Sequence, residues 1–429
     1  MNKNKMEPYD IVFIGAGPAT LFCASKLLNK KNFIILEKGK TLNQRIKSLH
    51  KNTPAVKSDI LFGEGGVGLF LDGKLNFSTE IGGNILDVMN PWVISQIKRW
   101  FIKKYEIKPH YQRIKKIKIP NGKCLTFPQY HFGTENLPKL IKTISQGFRR
   151  RIICNTEVTS INKSKNIFSV TDSKRKIYLS RALIVATGQS NFDFVTKIAQ
   201  YFKLKTESNE VSIGIRLEAS NANLKKYFTI QYDPKLIFTV KQGEVRTFCS
   251  NPGGYVISEK KEGFTTANGH AQKNKKSNFS NLAILLKSRE KNKLISMCKT
   301  ISQKTKDRLI VQNTKDFLQN ITTSKLIFPP QHTNCTIAQN IYSYLPTNII
   351  AGLQEAIKSL LIIEPGLINS IFYFPEIKIF PSKIKVNKNT FESKVPNLYF
   401  IGDCCGYIHG LWNAILSGTS CGNNFLKKR

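Results

Sequence analysis

The N-terminal segment of the chain contains a strand, turn, helix and strand in succession, which strongly restricts its fold. Residues 9–14 (YDIVFI) and 33–36 (FIIL) are short apolar runs typical of buried strands. Between them, the turn GAGPAT leads into the helical stretch LFCASKLLNK. Two strands joined by a helix form a parallel β-α-β unit, which belongs in a sheet covered by helices. The segment therefore predicts an α/β domain.

The glycines of this turn predict a dinucleotide site. Gly15 permits the tight turn, Gly17 allows a pyrophosphate to approach the backbone, and the helix N-terminus supplies unpaired N–H groups. Glu37 ends the second strand about 20 residues later, where a carboxylate accepts hydrogen bonds from the adenosine ribose. Thr20 occupies a position that usually holds Gly or Ala, so we expect a slightly displaced helix that still binds the ligand.

Later apolar runs predict that the nucleotide domain is discontinuous. Residues 151–161 and 177–186 are predicted to be strands, and the second ends in Ala186-Thr187-Gly188. Residues 398–401 predict a strand ending in Gly402-Asp403, before a last helix over 411–426. The nucleotide domain comprises residues 1–90, 151–216 and 381–429, and a mixed α/β substrate or cap domain comprises 91–150 and 217–380. No second GxGxxG follows a strand, so one dinucleotide is expected.

The charge of the chain has two interpretations. Lys and Arg number 66 against 28 Asp and Glu, a formal charge of +38, which ordinarily indicates a polyanionic partner. However, Lys exceeds Arg and is accompanied by much Asn and Ile, as A/T-rich coding sequences produce. The aromatic and basic segment 92–118 also fits an amphipathic helix, with Ile97, Phe101 and Tyr105 inward and lysines outward. Nucleic acid is therefore not expected as a partner.

The patterns of cysteine and of apolar residues indicate the cellular compartment in which the protein is expected. The nine cysteines include no CxxC pair, and the adjacent Cys404 and Cys405 would form a strained disulfide. We interpret Cys249 as a buried structural residue. A reducing, cytoplasmic location is expected, with no membrane span and no processed leader. The six histidines lack zinc-ligand spacing, so no metal is predicted.

The motifs GAGPA, ATG and GD, in that order, resemble those that build the flavin site of FAD-dependent oxidoreductases. A closer resemblance is to the FAD-dependent dehydrogenase family of bacteria and archaea, through Gly63-Glu64-Gly65-Gly66-Val67-Gly68 and Asp72-Gly73-Lys74-Leu75. Further matching runs are HFGT at 131–134, RTFC at 246–249, PGGY at 252–255, NGH at 268–270 and PEI at 375–377. The resemblance implies a Rossmann-like, glutathione-reductase-type FAD-binding domain with an inserted substrate domain.

The resemblance also implies roles for individual residues. The cofactor-binding set is Gly15, Gly17, Pro18, Ala19, Glu37, Lys38, Arg45, Gly65, Gly66, Val158, Ala186, Thr187, Gly188, Gly402, Asp403 and Gly410. Within it, Val158 offers backbone groups to adenine, and Ala186-Thr187-Gly188 passes close beneath the dinucleotide. Asp403 binds the ribityl chain, because a carboxylate accepts hydrogen bonds from hydroxyls. Arg45 either neutralises pyrophosphate charge or is a solvated helix residue.

Two residues are candidates for a catalytic role. The Gly63–Gly68 loop is expected to meet the isoalloxazine, which would bring Lys74 near the flavin N5 side or the pyrophosphate, unless it is an ordinary surface lysine. His409 stands where relatives commonly carry Arg, before a helix whose N-terminus points at the flavin pyrimidine. Its imidazolium would stabilise negative charge at N1 and O2, whereas a neutral, backbone-bonded ring would not.

The sequence therefore predicts an FAD-dependent oxidoreductase of the dehydrogenase type, acting on a small organic substrate by hydride or electron transfer. NADH or NADPH is a candidate electron donor. One alternative is an FAD-dependent monooxygenase that hydroxylates an aromatic substrate in a natural-product pathway such as alkaloid synthesis. A second alternative is an RNA-binding flavoprotein in tRNA modification, in which the positive charge would be functional.

Overall fold

The computed structural model describes residues 7–49, 62–70, 73–109, 119–133, 136–189, 191–261, 263–271, 276–331 and 336–427. Asp72 and Thr134, which belong to two of the matching motifs, lie outside these ranges. The chain divides into two compact units. Unit 1 comprises Met1–His110, Pro128–Asn209 and Pro381–Arg429, and unit 2 comprises Tyr111–Phe127 and Glu210–Phe380. Residues 91–110 and 128–150, predicted for the substrate domain, therefore group with unit 1, whereas residues 210–216, predicted for the nucleotide domain, group with unit 2.

The regular elements are numbered in chain order. The strands are β1 Tyr9–Ile14, β2 Phe33–Leu36, β3 Lys74–Asn76, β4 Gly122–Leu125, β5 Gln129–His131, β6 Ile152–Ile153, β7 Val158–Ser164, β8 Ile167–Asp172, β9 Ile177–Val185, β10 Thr206–Glu207, β11 Val211–Ser220, β12 Lys235–Val240, β13 Gly243–Asn251, β14 Tyr255–Lys261, β15 Phe264–His270, β16 Phe279–Ser288, β17 Leu309–Asn313, β18 Thr336–Ala338, β19 Ile371–Ile379, β20 Lys383–Ile384 and β21 Leu398–Phe400. The helices are α1 Pro18–Leu27, α2 Leu42–Leu49, α3 Ile85–Val88, α4 Pro91–Lys104, α5 Leu137–Ser145, α6 Phe192–Tyr201, α7 Lys225–Ile230, α8 Lys291–Thr305, α9 Thr314–Gln319, α10 Thr347–Ile363 and α11 Leu411–Phe425.

Unit 1 is built on a sheet in the order β6-β2-β1-β9-β8-β7, and β21 also pairs with β9. Strands β6, β2, β1, β9 and β21 are parallel, whereas β8 and β7 continue antiparallel. Ile11, Val12 and Phe13 of β1 are fully buried, as expected for a central parallel strand covered on both faces. The predicted β-α-β unit is confirmed.

The other predicted elements agree closely with the structure, with one exception. Strands β9 and β21 and helix α11 end within one residue of their predicted bounds. The predicted strand over 151–161 is two strands, because Asn155 turns the chain with φ +53° and its N–H donates to Gly39 O at 2.9 Å. This turn is stabilised by the loop after β2, a contact that local periodicity does not reveal.

Helices α1 and α11 pack at very short distance through glycine. A Cβ atom at Gly418 would overlap the Ala19 carbonyl oxygen, and one at Gly422 would lie 2.9 Å from Cys23 O. Both neighbours are backbone atoms, which cannot move aside as a flexible side chain can. The close packing of α11 therefore fixes the position of α1, whose N-terminus follows the dinucleotide turn.

We expect Gly418→Ala to destabilise unit 1 by about 3 kcal/mol, because even the added Cβ overlaps the Ala19 carbonyl oxygen and forces α1 and α11 apart. Urea denaturation followed by tryptophan fluorescence measures the effect. Gly68→Ala is the matched control, since a Cβ there meets its nearest atoms at an ordinary 3.5 Å and 3.6 Å. Equal stability of the two variants would contradict the packing argument.

Unit 2 contains a sheet in the order β18-β17-β19-β11-β16-β13-β12-β4, and a separate β14–β15 hairpin. Strand β11 is central and buried along nearly its whole length. Fully buried Arg216 donates to both carboxylate oxygens of Glu376, at 2.6 Å and 2.7 Å. Lys378 Nζ also lies 3.0 Å from Glu376 Oε1. These contacts join β11 to β19, and they bring residues of the PEI motif into the interior.

The neighbouring Glu218 carboxyl is buried in a different environment. Tyr373 Oη donates to Glu218 Oε2 at 2.6 Å, while Oε1 has no hydrogen-bond partner among the described residues. Burial raises the pKa of Glu218 to about 7, although the Tyr373 hydroxyl opposes this rise. Because the folded protein binds this proton more tightly than the unfolded chain, stability is highest below the ordinary pKa and falls as the pH rises toward 7.

We expect the wild-type protein to lose about 2.5 kcal/mol of stability relative to Glu218→Gln between pH 5 and pH 8. The amide keeps the volume of the side chain and carries no charge to desolvate. Denaturation of both proteins at the two pH values gives the difference directly. A constant difference between them would show that Glu218 does not titrate in this range.

Among the described residues, no helix combines the length and the apolar character needed to cross a membrane. Cys404 and Cys405 are free and buried rather than paired. The interpretation of Cys249 as a buried residue is wrong, because this cysteine is exposed. It lies at an irregularity of β13, where the pairing with β16 shifts and its own φ is +40°. A sequence pattern cannot anticipate such a bulge.

Candidate functional site: the glycine turns of unit 1

The turn after β1 requires its first glycine. Gly15 has φ +97°, and its N–H donates to Leu36 O at 2.8 Å. A Cβ atom at this position would lie only 2.5 Å from Ala186 O. The first turn and the ATG segment therefore contact each other directly, with no room for a side chain between them.

Gly17 faces open space. It is the N-cap of α1, with φ −77° and no side-chain cap, and Pro18 begins the helix. A Cβ atom at Gly17 would meet no atom within 4 Å. The first N–H groups of α1 therefore have no side-chain cap, and they lie beside this open Cβ position at the positive end of the helix dipole. This is the geometry that an anionic pyrophosphate requires.

Two other predicted glycines also have open surroundings. Gly188 (φ +69°) and Gly410 (φ +91°) would place a Cβ more than 4 Å from any neighbour. Gly410 is the uncapped N-cap of α11. Contacts through Gly68 link the two helix starts, because a Cβ there would lie 3.5 Å from Pro18 and 3.6 Å from Leu411. The open positions at Gly17, Gly188 and Gly410 fit a bound dinucleotide, and the placement of the other predicted cofactor residues around it stays a prediction.

Glu37 accepts more hydrogen bonds from the protein than the sequence predicts. It is 6% exposed, and its carboxylate accepts N–H bonds from Ala16 (2.7 Å), Gly39 (2.8 Å) and Gly63 (2.9 Å). A carboxylate has about four acceptor positions, so about one is left for a ribose hydroxyl. Glu37 thus ties the dinucleotide turn to the glycine loop, and its ribose contact stays a prediction.

Arg45 is not a solvated helix residue, because its side chain is completely buried. Its guanidinium donates to Glu64 O at 2.6 Å and to Gly66 O at 3.1 Å. The loop itself contacts the dinucleotide turn, since Gly65 N–H donates to Ala16 O at 2.9 Å. Arg45 therefore holds the glycine loop against the turn, and the predicted contacts of Gly65 and Gly66 with the flavin stay predictions.

Lys38 and Val158, both members of the predicted cofactor-binding set, are on neighbouring segments. Lys38 forms an exposed ion pair with Glu157, 2.7 Å from Nζ to Oε1, and such pairs contribute little to stability. Thr156 N–H donates to Glu37 O at 2.8 Å, so the chain entering β7 lies beside Glu37. Val158 is buried at the start of β7. Its predicted backbone contact with adenine is untested.

Asp403 and Gln189 form a polar pair, of which only Asp403 was predicted from the sequence. Gln189 Nε2 donates to Asp403 Oδ2 at 2.8 Å, and both side chains are half-buried. Burial raises the pKa of Asp403 to about 7, against the smaller opposing effects of Gln189 and of the Gly410 N–H. Gln189 directly follows the ATG motif, and this position was its only signal. The pair offers an ionisable acceptor beside Gly188 and Gly410.

The segment before α11 pairs with residues 81–83. His409 N–H donates to Gly82 O at 2.7 Å, and Asn413 Nδ2 donates to the same oxygen at 2.8 Å. His409 is half-buried, and Lys74 is half-buried in β3, in register with His131. The roles of His409 and Lys74 toward the flavin stay predictions. Asn413 was missed, because nothing in the sequence connects it to Gly82.

The cysteines beside Asp403 are buried thiols. Burial raises the pKa of Cys405 to about 12 and that of Cys404 further. Cys404 Sγ lies 3.3 Å from the carbonyl oxygens of Val185 and Ile401. A thiol with such a high pKa is a poor nucleophile. Among the described residues, His, Cys, Asp and Glu side chains form no group of three suited to a metal ion.

Part of the chain is similar to a known protein family, and nearly all of it is similar to a bacterial protein. Residues 210–366 match the family described as "FAD-dependent protein, C-terminal domain-like". A Clostridium beijerinckii protein described as uncharacterized is 24% identical over 461 residues, which is 97% of this chain and 80% of that protein. The match is confined to residues 210–366, and it supports FAD as the cofactor of this chain.

Solved structures give weaker similarities. CtdE in complex with FAD has a TM-score of 0.40 and 10% identity, covering 96% of this chain and 83% of that one. A flavoprotein/dehydrogenase from Cytophaga hutchinsonii has a TM-score of 0.43 and 12% identity, covering 98% and 79%. TM-scores below 0.5 do not establish a common fold.

Proposed function

We propose that this FAD-dependent protein is an oxidoreductase of the dehydrogenase type, in which unit 1 binds the cofactor and the substrate is a small organic molecule. When bound, the flavin supplies hydride or electron transfer. The observation that supports the proposal most strongly is the uncapped start of α1, where Gly17 leaves room for an anion. The parallel strands continued by antiparallel β8 and β7 further support a glutathione-reductase-type domain.

Different residues around this opening would bind different parts of FAD. The N–H groups at the start of α1 would bind the pyrophosphate, since the helix dipole favours negative charge there. Asp403 would accept a hydrogen bond from a ribityl hydroxyl, and Gln189 would orient its carboxylate. The uncapped N-terminus of α11 would stabilise negative charge on the reduced pyrimidine ring.

The proposal is tested by anaerobic reduction of the purified protein with NADH or NADPH, followed by oxygen, with and without aromatic substrates. A dehydrogenase is expected to give flavin bleaching and simple reoxidation, without an intermediate that depends on substrate. A transient hydroperoxide spectrum coupled to substrate hydroxylation would instead establish the monooxygenase alternative. Gly17→Glu protein is the control, because it is expected to lack flavin and should show no bleaching.

A further inference from the structure

Several basic side chains gather at one end of unit 1, at the C-terminal ends of α1 and α4. Lys26 Nζ lies 3.3 Å from the centre of the Trp100 ring, and Lys104 Nζ lies 5.5 Å from the same centre. Arg151 Nη1 donates to Lys31 O at 3.1 Å. We use the term basic patch for Lys26, Lys30, Lys31, Lys104 and Arg151. Exposed Lys103 and Arg150 adjoin it in the chain.

The like charges of the basic patch repel one another. Burial and the charges of Lys104 and Lys30 lower the pKa of Lys26 to about 8. The Trp100 ring offsets part of this cost through its cation–π contact with Lys26. The carboxylates of unit 1 that form ion pairs bind other cations, such as Lys38, Arg149 and Arg181. Within the described residues, none of the five patch side chains has an ion-pair partner.

The residue composition of the basic patch indicates which of two anionic ligands it would bind, a membrane surface or a nucleic acid. Peripheral binding to a membrane combines basic residues with exposed apolar side chains that insert into the lipid. Trp92, 70% exposed, is twelve residues before Lys104 on α4, about 18 Å away along the helix. Trp100 is half-buried with Lys26 Nζ over its ring, and Ile153, two residues after Arg151, is only 36% exposed. Charge thus dominates the patch over exposed apolar surface, as contacts with a phosphodiester backbone require.

We propose that the basic patch binds the phosphate backbone of a nucleic acid without reading its sequence. Arg151 and the exposed lysines would contact successive phosphates, and the release of counterions would supply the free energy. A/T-rich composition accounts for many lysines, but it does not account for the placement of both Lys26 and Lys104 over the Trp100 ring. This inference modifies the expectation that nucleic acid is not a partner, and it does not depend on which reaction the protein catalyses.

The test compares two triple variants of the full-length protein that lower the net charge by the same amount. The patch variant is Lys30→Gln/Lys31→Gln/Lys104→Gln. The control variant is Lys165→Gln/Lys174→Gln/Lys176→Gln, on the β7–β8–β9 turns of the same unit. Fluorescence anisotropy with a labelled 20-nucleotide RNA of mixed sequence, from 50 to 300 mM KCl, gives affinity and salt slope. Thermal melting verifies that both variants fold.

The patch variant is expected to lose affinity on the order of 50-fold at 150 mM salt, with a log–log slope smaller by about 2. The control variant should change affinity by less than about threefold. Equal losses in the two variants would overturn the proposal, because net charge alone would then explain binding. Binding to vesicles of anionic phospholipid, with no salt-dependent RNA binding, would also overturn it.

Discussion

Gly17→Glu is expected to abolish FAD binding while leaving the protein folded. The new carboxylate would enter the space around Gly17 that is free of protein atoms, and it would place a negative charge where the pyrophosphate must bind. The backbone at this position is extended, so any residue can adopt it. The amount of flavin bound per chain, calculated from the flavin and protein absorbance of the purified protein, should fall from near one equivalent to below about 0.1 equivalent.

Two control variants separate the effect of the added charge from the effects of side-chain size and of folding. Gly17→Ala adds only a Cβ that meets no atom, so it should fold normally and bind FAD with intermediate affinity. Gln200→Glu adds the same charge at an exposed end of α6 and should bind FAD as the wild type does. A folded Gly17→Glu protein with normal flavin content would refute the site at α1.

The affinity for FAD is expected to rise about tenfold from pH 6 to pH 8. In the cofactor-free protein, burial raises the pKa of Asp403 to about 7, so most of the carboxyl is protonated at pH 6. A ribityl hydroxyl donates to the ionised form, and binding therefore competes with the proton. Titration of apoprotein with FAD, followed by quenching of flavin fluorescence, measures the dissociation constant at each pH.

Substitutions of Asp403 and Gln189 identify the group whose titration causes this pH dependence. Asp403→Asn should bind FAD more weakly at pH 8 and should remove the dependence. Gln189→Leu deletes the donor at 2.8 Å, so the rise in affinity should move to higher pH. An unchanged profile in Asp403→Asn would show that another group titrates, and an unchanged profile in Gln189→Leu would limit Gln189 to packing.

Local sequence signals predicted the conformation of the glycine turn after β1 well. Gly15 and Gly17 have distinct requirements, a positive φ and an open approach, and the spacing to Glu37 reflects the fixed length of one β-α-β unit. The strands β1 and β2 were predicted at their observed bounds, because parallel central strands are continuous apolar runs. These features depend on residues close together in the sequence.

Contacts between distant segments could not be predicted in this way. Arg45 is buried because the glycine loop folds back over it, and Gln189 reaches Asp403 across 214 positions of the chain. Likewise, Asn413 binds residues 81 and 82. Neither periodicity nor local propensity carries information about such pairs. The exposure of Cys249 depends in the same way on a bulge between paired strands.

The most direct test of the central claim is identification of the cofactor after acid precipitation of the purified wild-type protein. Because the turn, the ATG segment and the Gly402-Asp403 segment lie next to one another, the released yellow compound should be FAD, noncovalently bound at about one equivalent per chain. Chromatography against FAD and FMN standards identifies it. Release of FMN, or a protein that neither contains nor takes up flavin, would contradict the account.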